Sequence, residues 1–325
     1  MIDNFTLKFK QFCSLSTVDE LGAFFSVSIK TLDEILISPT YQTFQIPKKK
    51  GGFRTITSPD LALKKIQQKI ALQLQMAYPK PKSVYGFVAM DKRVDFVNPI
   101  IANAFNHINK KYILSIDIHH FFESIYSTTI YHLFRSAPFH FPEKIALILT
   151  RLTTYKGCLP TGAPTSPMLS NFIMLEIDRN LEGFALKHSI DYSRYADDLT
   201  FSSNLPIEEE SVNQIKKILF PFVLNPSKTR IKNQSQQQKV TGIIVNQKIN
   251  IDRKWLKKLR AILYDFKTNG LQKASFNHFK QLNKETNFIN HLRGNISFLG
   301  QVRGLTDNEY IKYYTLYRDL VSKKA

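Results

Sequence analysis

Two adjacent carboxylates, Asp197 and Asp198, lie inside Asp191-Tyr192-Ser193-Arg194-Tyr195-Ala196-Asp197-Asp198-Leu199-Thr200-Phe201-Ser202-Ser203. β-Preferring Tyr, Thr and Phe run up to the pair and away from it, which predicts a β-hairpin with both acids at its tip. An Asp pair also suits an ordinary turn, where its side chains bond their own backbone, and the pair alone leaves both readings open. A third acid shifts the balance. Ile113-Leu114-Ser115-Ile116-Asp117-Ile118 is a short apolar run with one carboxylate near its end, an unfavourable placement unless something charged meets it. Three carboxylates converging on one spot would repel, and divalent cations relieve that conflict. Two hard cations held by carboxylates are the usual apparatus of in-line phosphoryl transfer to a nucleotide, with Mg²⁺ the expected metal.

The elements that must position these acids follow a simple order. A strand over 112–118, a helix over 167–187, the acidic hairpin, a helix over 207–222 and a strand over 240–245 resemble the split β-α-β palm of nucleic-acid polymerases. That order brings Asp117 to the hairpin tip although about eighty residues separate them. Leu169, Phe172, Ile173, Ile177 and Leu181 form the apolar stripe that packs the first helix onto a core.

Upstream, Thr17-Val18-Asp19-Glu20 and Thr31-Leu32-Asp33-Glu34 each fit a capping box, predicting short helices over 18–27 and 32–37. The second has too few basic residues for a DNA-reading helix. Strands over 41–46 and 53–57 are joined by Pro47-Lys48-Lys49-Lys50-Gly51-Gly52, a loop studded with ammonium groups. Leu63, Ile66, Ile70 and Leu74 recur at helical spacing over 61–78. Pro160, Gly162, Pro164 and Pro167 force an irregular backbone, and Gly162 permits close approach of a base. Asp252 is placed to cap a helix to about residue 268, closed by Asn269-Gly270, with further helices over 275–298 and 307–323.

The 325-residue chain carries a net charge of +19, which implies a polyanionic partner. The excess is uneven: residues 226–325 hold 20 Lys/Arg against 6 Asp/Glu. A field concentrated there suits a nucleic-acid backbone, although a solvated basic surface has the same composition. Cys13 and Cys158 have no metal-ligand or disulfide spacing, which excludes a zinc site and fits a reducing cytoplasm. The first residues lack a secretory leader, and no apolar run approaches the ~18 to 20 residues of a membrane span. A cytoplasmic protein with no membrane partner is expected.

Tyr195-Ala196-Asp197-Asp198 is similar to the signature box of reverse transcriptases, and Asp117 followed by Phe121-Phe122 to the box with their first metal ligand. Leu159-Pro160-Thr161-Gly162-Ala163-Pro164-Thr165-Ser166-Pro167 resembles the template-gripping box, with Thr161 where that family usually has Gln. Asn103-Ala104-Phe105-Asn106-His107 and Val240-Thr241-Gly242 resemble two elements of the small bacterial retron type. The resemblance runs from about residue 46 to 299. It implies an α+β fold of right-hand polymerase architecture, with fingers, a ferredoxin-like (split β-α-β) palm and a helical thumb. The division would be an N-terminal helical segment (1–40), fingers (41–111, with part of 123–158), palm (112–245) and basic thumb (246–325).

The resemblance also implies an RNA-directed DNA polymerase using two Mg²⁺ ions and dNTP substrates, with Asp117, Asp197 and Asp198 as catalytic metal ligands. Lys48, or Lys49 or Lys50 in its stead, and Arg54 would meet the triphosphate. Phe122, five positions past Asp117, would exclude a ribose 2′-hydroxyl. Lys228 is either a proton donor to the leaving pyrophosphate or a surface lysine. His119 and His120 receive no role. Asn103, His107, Val240, Thr241 and Gly242 would help hold a cognate structured noncoding RNA of the msr-msd type, with the basic residues Arg253, Lys254, Lys257 and Lys258 of the thumb on RNA or the RNA-DNA hybrid. Priming from a 2′-hydroxyl of that RNA, a branched RNA-DNA product (msDNA), and antiphage defence with a separate effector protein complete what the resemblance implies. Another bacterial reverse transcriptase, intron-derived or of an abortive-infection type, and a non-catalytic basic RNA-binding protein are the alternatives.

Overall fold

The computed structural model describes residues 4–48, 51–88, 98–279 and 285–322. Three helices come first: α1 (Asn4–Cys13), α2 (Val18–Phe25) and α3 (Ile29–Ile37). The box at Thr17 forms, with Thr17 Oγ1 accepting the Glu20 amide at 3.2 Å and Glu20 Oε2 accepting the Thr17 amide at 3.1 Å. The box expected at Thr31 does not. Ser28 caps α3, its hydroxyl accepting the Thr31 amide at 3.1 Å, so the helix starts earlier and Thr31 lies in its first turn.

Strands β1 (Tyr41–Pro47) and β2 (Phe53–Pro59) pair antiparallel, from Tyr41 opposite Pro59 to Pro47 opposite Phe53. Helix α4 (Leu61–Ala77) is capped by Asp60, which accepts the Leu63 amide at 2.9 Å. Its Leu63, Ile66, Ile70 and Leu74 are all buried, as their spacing predicts. Then come α5 (Pro99–Phe105), β3 (Tyr112–Asp117), α6 (Ser127–Arg135), α7 (Glu143–Thr153), α8 (Ser166–Lys187), β4 (Asp191–Tyr195), β5 (Asp198–Ser203) and α9 (Glu209–Ile218). The chain continues through β6 (Arg230–Asn233), β7 (Lys239–Val240), β8 (Ile243–Ile244), α10 (Arg253–Phe279), α11 (Glu285–Arg303) and α12 (Asn308–Ser322). Among the described residues no helix is long and apolar enough to cross a membrane.

One four-stranded sheet has the order β4-β5-β3-β6. The expected strand over 240–245 is not part of it. Thr241 (φ 48°) and Gly242 (φ 88°) both take left-handed conformations, turning the chain back on itself so that β7 and β8 form their own two-stranded hairpin. The sheet's last strand is instead β6, Arg-Ile-Lys-Asn, largely exposed and too polar to announce itself by apolar alternation.

The chain divides into two compact units. The first comprises Met1–Ala89, Ser115–Leu199 and Glu208–Arg230. Its core joins Phe12, Phe134, Phe139 and Phe141, whose rings stack and cross at centroid distances of 5.1 to 6.1 Å, to Phe172 of α8. In α8 Leu169, Phe172 and Leu181 are buried as expected, but Ile173 and Ile177 are only half-buried, while polar Asn171 and Asp178 are fully enclosed. The second unit comprises Met90–Leu114, Thr200–Ile207 and Ile231–Ala325. Its core gathers Ile101 and Ala104 of α5, Val240, Ile243 and Val245, and the inward faces of α10, α11 and α12. Helix α10 breaks at Gly270 (φ 75°, ψ 173°), where Asn269-Gly270 predicts a helix end. The helix expected over 275–298 is the end of α10 and most of α11; residues 280–284 lie outside the described residues.

Candidate active site

Strands β4 and β5 are joined through Ala196 and Asp197, and Ala196 takes a left-handed φ of 59°, a conformation that disfavours any residue with a Cβ. Asp197 is therefore in the turn and Asp198 opens β5. The Asp197 carbonyl accepts the Ile118 amide at 3.1 Å, which ties the end of β3 to the turn and brings Asp117 beside it. A segment after α9 completes the site: the Asn225 amide donates to the Asp117 carbonyl at 2.8 Å, its Nδ2 to Asp117 Oδ2 at 3.3 Å, and Lys228 Nζ to Asp117 Oδ1 at 2.6 Å.

The three acids share one electrostatic environment. Loss of water pushes Asp197 up, the Asp117 carboxylate adds to that, and Lys228 and Arg54 pull it back. Asp198 keeps an exposed side, yet desolvation, followed by the charges of Asp197 and Asp117, pushes its carboxyl up to about 6. Asp197 and Asp198, both raised, with Asp117 beside them make a donor set that a hard divalent cation suits in charge and atom type. Their arrangement is another matter: among the described residues no three His, Cys, Asp or Glu side chains are grouped to hold a metal as they stand. The Lys228 ammonium is paired with Asp117 at 2.6 Å.

The β1–β2 hairpin contributes Arg54, whose charge reaches Asp197. Lys48 is at the turn, its amide donating to the Gly52 carbonyl at 2.9 Å; Lys49 and Lys50 lie outside the described residues. The loop at Thr161-Gly162 runs along the free edge of β2. Thr161 Oγ1 accepts the Thr57 amide at 3.0 Å and donates to the Thr55 carbonyl at 3.1 Å, while the Gly162 amide donates to the Thr57 carbonyl at 2.9 Å. A Cβ on Gly162 would come within 2.8 Å of the Thr57 carbonyl oxygen. The close approach Gly162 permits here is thus to β2 itself.

Of the two adjacent aromatics, Phe121 is core, 5 % exposed and packed on Phe222 at 5.8 Å. Phe122 is half-buried and its ring lies 6.0 Å from that of Phe87, the last residue of Tyr85-Gly86-Phe87. His119 and His120 stack edge-on at 4.0 Å.

The retron-like strings meet in the second unit, about 135 residues apart in sequence. Thr241 Oγ1 donates to the Ile100 carbonyl of α5 at 2.9 Å, and His107 Nδ1 lies 2.7 Å from Ser202 Oγ. Asn103, His107 and Val240 are at most 1 % exposed. Enclosed in this way, they offer no exposed atom to a phosphate or base, so any help they give in holding RNA would act through the packing of this unit, and His107 sits as a satisfied structural histidine on Ser202 of β5. Gly242 is exposed and Thr241 half-exposed at its turn. On α10, Arg253, Lys254, Lys257, Lys258 and Arg260 are all exposed. Leu256 is half-buried against the core of this unit and also lines a groove with Arg253, Lys257, Arg260, Ala261 and Tyr264. Asp252 caps α10, accepting the Lys254 amide at 2.7 Å and pairing with Lys239.

Sequence reasoning overlooked Arg194, Asp178 and Gly86, which lie under the acidic turn. Asp178 inside an apolar helical stripe was the available signal, since a buried carboxylate demands a cationic partner.

The chain belongs to the reverse transcriptase (RNA-dependent DNA polymerase) family, whose model matches residues 46–245. Its relatives are retron enzymes, and it is of that type. It is 29 % identical over 298 residues to the retron Ec86 reverse transcriptase of Escherichia coli, covering 88 % of this chain and 85 % of that one. It is 27 % identical over 277 residues to the retron Ec83 reverse transcriptase of Escherichia coli, covering 78 % and 85 %. The retron Mx65 reverse transcriptase of Myxococcus xanthus is 30 % identical over 245 residues, covering 69 % of this chain and 55 % of that longer one. The activity is RNA-directed DNA polymerisation, and the family uses a divalent metal and deoxynucleoside triphosphates.

Proposed function

We propose that this reverse transcriptase extends DNA at Asp117, Asp197 and Asp198, and that it copies a structured noncoding RNA of its own, starting from a 2′-hydroxyl to give branched RNA-DNA. The observation that supports the site most directly is the bond from the Ile118 amide to the Asp197 carbonyl at 3.1 Å, which sets Asp117 at the end of β3 beside the turn that carries Asp197 and Asp198. Two Mg²⁺ ions, when bound by these carboxylates, would supply the charge that acidifies the primer hydroxyl and neutralises the triphosphate. Arg54 and Lys48 hold the triphosphate; the guanidinium grips oxygens as a fork and the lysine acts as a point charge. Phe122, steadied by Phe87, closes the space a 2′-hydroxyl would need. Lys228 carries the proton that the leaving pyrophosphate takes up. The exposed basic face of α10 holds RNA or hybrid through phosphates. In these terms residues 41–111 with part of 123–158 serve as fingers, 112–245 as palm and 246–325 as thumb, a functional division distinct from the two compact units. An antiphage role with a separate effector protein belongs to the same proposal.

Primer extension on an RNA template tests the site. Asp198→Asn is expected to abolish extension while RNA binding persists; extension at the parent rate removes the site. Copurified nucleic acid tests the priming. A branched RNA-DNA molecule is expected, and linear cDNA alone points to an intron-derived or other defence-type enzyme.

A further inference from the structure

The proposed chemistry uses the outer side of the β4–β5 turn, whereas its inner side holds a charged network with no part in that chemistry. Arg194 is 0 % exposed and ranks first in size among the fully enclosed side chains. A guanidinium stays charged at any working pH, so its burial is tolerated only when acceptors meet its N–H groups. Two of its contacts go to Asp178: Nε to Oδ1 at 2.8 Å and Nη2 to Oδ2 at 2.6 Å. Nη1 donates to Asn171 Oδ1 at 3.0 Å and to the Ala196 carbonyl at 3.1 Å. Charge neutralisation requires only the Asp178 fork. The contact with Ala196 is additional, and it falls on the strained residue that immediately precedes Asp197.

A second segment presses on the same residue. Residues 83–87 run beside β4, with the Arg194 amide donating to the Ser83 carbonyl at 2.8 Å and the Tyr85 amide to the Arg194 carbonyl at 2.9 Å. Asn171 Nδ2 donates to the Gly86 carbonyl at 3.1 Å, linking this strap to the guanidinium's own partner. A Cβ on Gly86 would lie 2.2 Å from the Ala196 nitrogen and 2.9 Å from the Tyr195 carbonyl carbon. Ala196 is therefore gripped at its carbonyl by Arg194 and blocked at its nitrogen by a backbone that only glycine allows so near.

We propose that Arg194, fixed by Asp178 and Asn171 and backed by the Gly86 strap, is a positioning residue that sets the left-handed Ala196 and thereby aims the Asp197 carboxylate at the metal. The proposal rests on the reading of Asp197 as a metal ligand. Arg194 touches no substrate; it acts through the turn.

Arg194→Lys keeps the charge but replaces the planar fork, whose Nε and Nη2 meet Asp178 while Nη1 holds Ala196, by a single nitrogen that cannot occupy those positions together. Tyr192→Phe is the comparison, since it removes the 2.7 Å bond from the Tyr192 hydroxyl to the same Asp178 and leaves the Ala196 contact in place. Three quantities are read on the full chain: melting temperature, Mn²⁺ affinity by electron paramagnetic resonance with dNTP but no primer, and kcat and KM for single-nucleotide extension on RNA. Arg194→Lys is expected to weaken Mn²⁺ binding by about tenfold and lower kcat by about 100-fold, with KM for dNTP within about twofold of the parent. Gly86→Ala, which displaces Ala196 from the opposite side, is expected to give the same pattern and stands in if Arg194→Lys does not fold. Tyr192→Phe is expected to keep parental Mn²⁺ affinity and kcat even where its melting temperature falls. The proposal is overturned if the folded Arg194→Lys or Gly86→Ala binds Mn²⁺ and turns over like the parent, or if losses in all variants simply track melting temperature. Asp197→Asn separates the two levels. If it keeps metal affinity and rate, the metal-site reading fails and takes this proposal with it; if it loses both while Arg194→Lys does not, the site stands and only the clamp falls.

Discussion

Replacing Thr161 by Val keeps the shape of the side chain and removes one hydroxyl that makes two hydrogen bonds to β2, at 3.0 Å to the Thr57 amide and 3.1 Å to the Thr55 carbonyl. A net hydrogen bond contributes about 1 kcal/mol, so their joint loss weakens this attachment by about 2 kcal/mol, and water reaching the partly exposed edge reduces that to about 1. The Gly162 amide still holds the Thr57 carbonyl, so β2 loosens without detaching. β2 carries Arg54, whose charge reaches Asp197. If the hairpin must be set before the triphosphate is gripped, 1 to 2 kcal/mol appears as a rise of about 5- to 30-fold in KM for dNTP. Single-nucleotide extension on an RNA template measures it, with kcat expected to change less than KM. Thr161→Ser retains the hydroxyl and is expected to stay near parental KM. A KM for Thr161→Val within twofold of the parent, at an unchanged melting temperature, would refute the idea that this hydroxyl couples the two loops.

Phe122→Ala opens the space above Phe121 and Phe87, and is expected to raise ribonucleotide incorporation relative to deoxynucleotide by about tenfold or more; unchanged selectivity in a competition assay removes the role given to this ring. Converting Arg253, Lys254, Lys257 and Lys258 to Glu is expected to reduce the slope of log affinity against log salt by about 3, from about 0.7 per single-strand phosphate contact; an unaltered slope puts the RNA elsewhere. Asp265 accepts from Asn269 at 2.6 Å and Asn277 at 3.1 Å and pairs with His278 at 3.0 Å, and these partners, Asn269 foremost, hold its carboxyl below the ordinary range. A depressed folded pKa adds stability that is complete above the unfolded value of about 3.9 and is lost as pH falls through the folded one. Urea unfolding followed by the single tryptophan, Trp255, is therefore expected to show a shallower acid-side decline for Asp265→Asn than for the parent; identical slopes refute the assignment.

Local pattern carried much of the architecture. Leu63, Ile66, Ile70 and Leu74 predicted α4 and are buried in it, Asn269-Gly270 marked the break in α10, and the alternation around Asp197-Asp198 predicted the β4–β5 hairpin. These signals are legible because helix periodicity, capping and turn preference are interactions among residues a few positions apart. Where the same local chemistry had two solutions, the local pattern pointed to the wrong one: Ser28 caps α3 in place of Thr31, and Thr241-Gly242 bends the expected strand into a hairpin.

The candidate site divides the same way. Its acids could be found as residue types, because carboxylates beside an apolar strand and at a hairpin turn are conspicuous. That Asn103, His107 and Val240 are enclosed, that Thr161 completes the edge of β2, and that Arg194 meets Asp178 beneath the turn were decided only by folding. A strand's sequence states that a side chain points inward; which partner waits there depends on elements brought together from distant positions in the chain, and no local preference encodes that meeting.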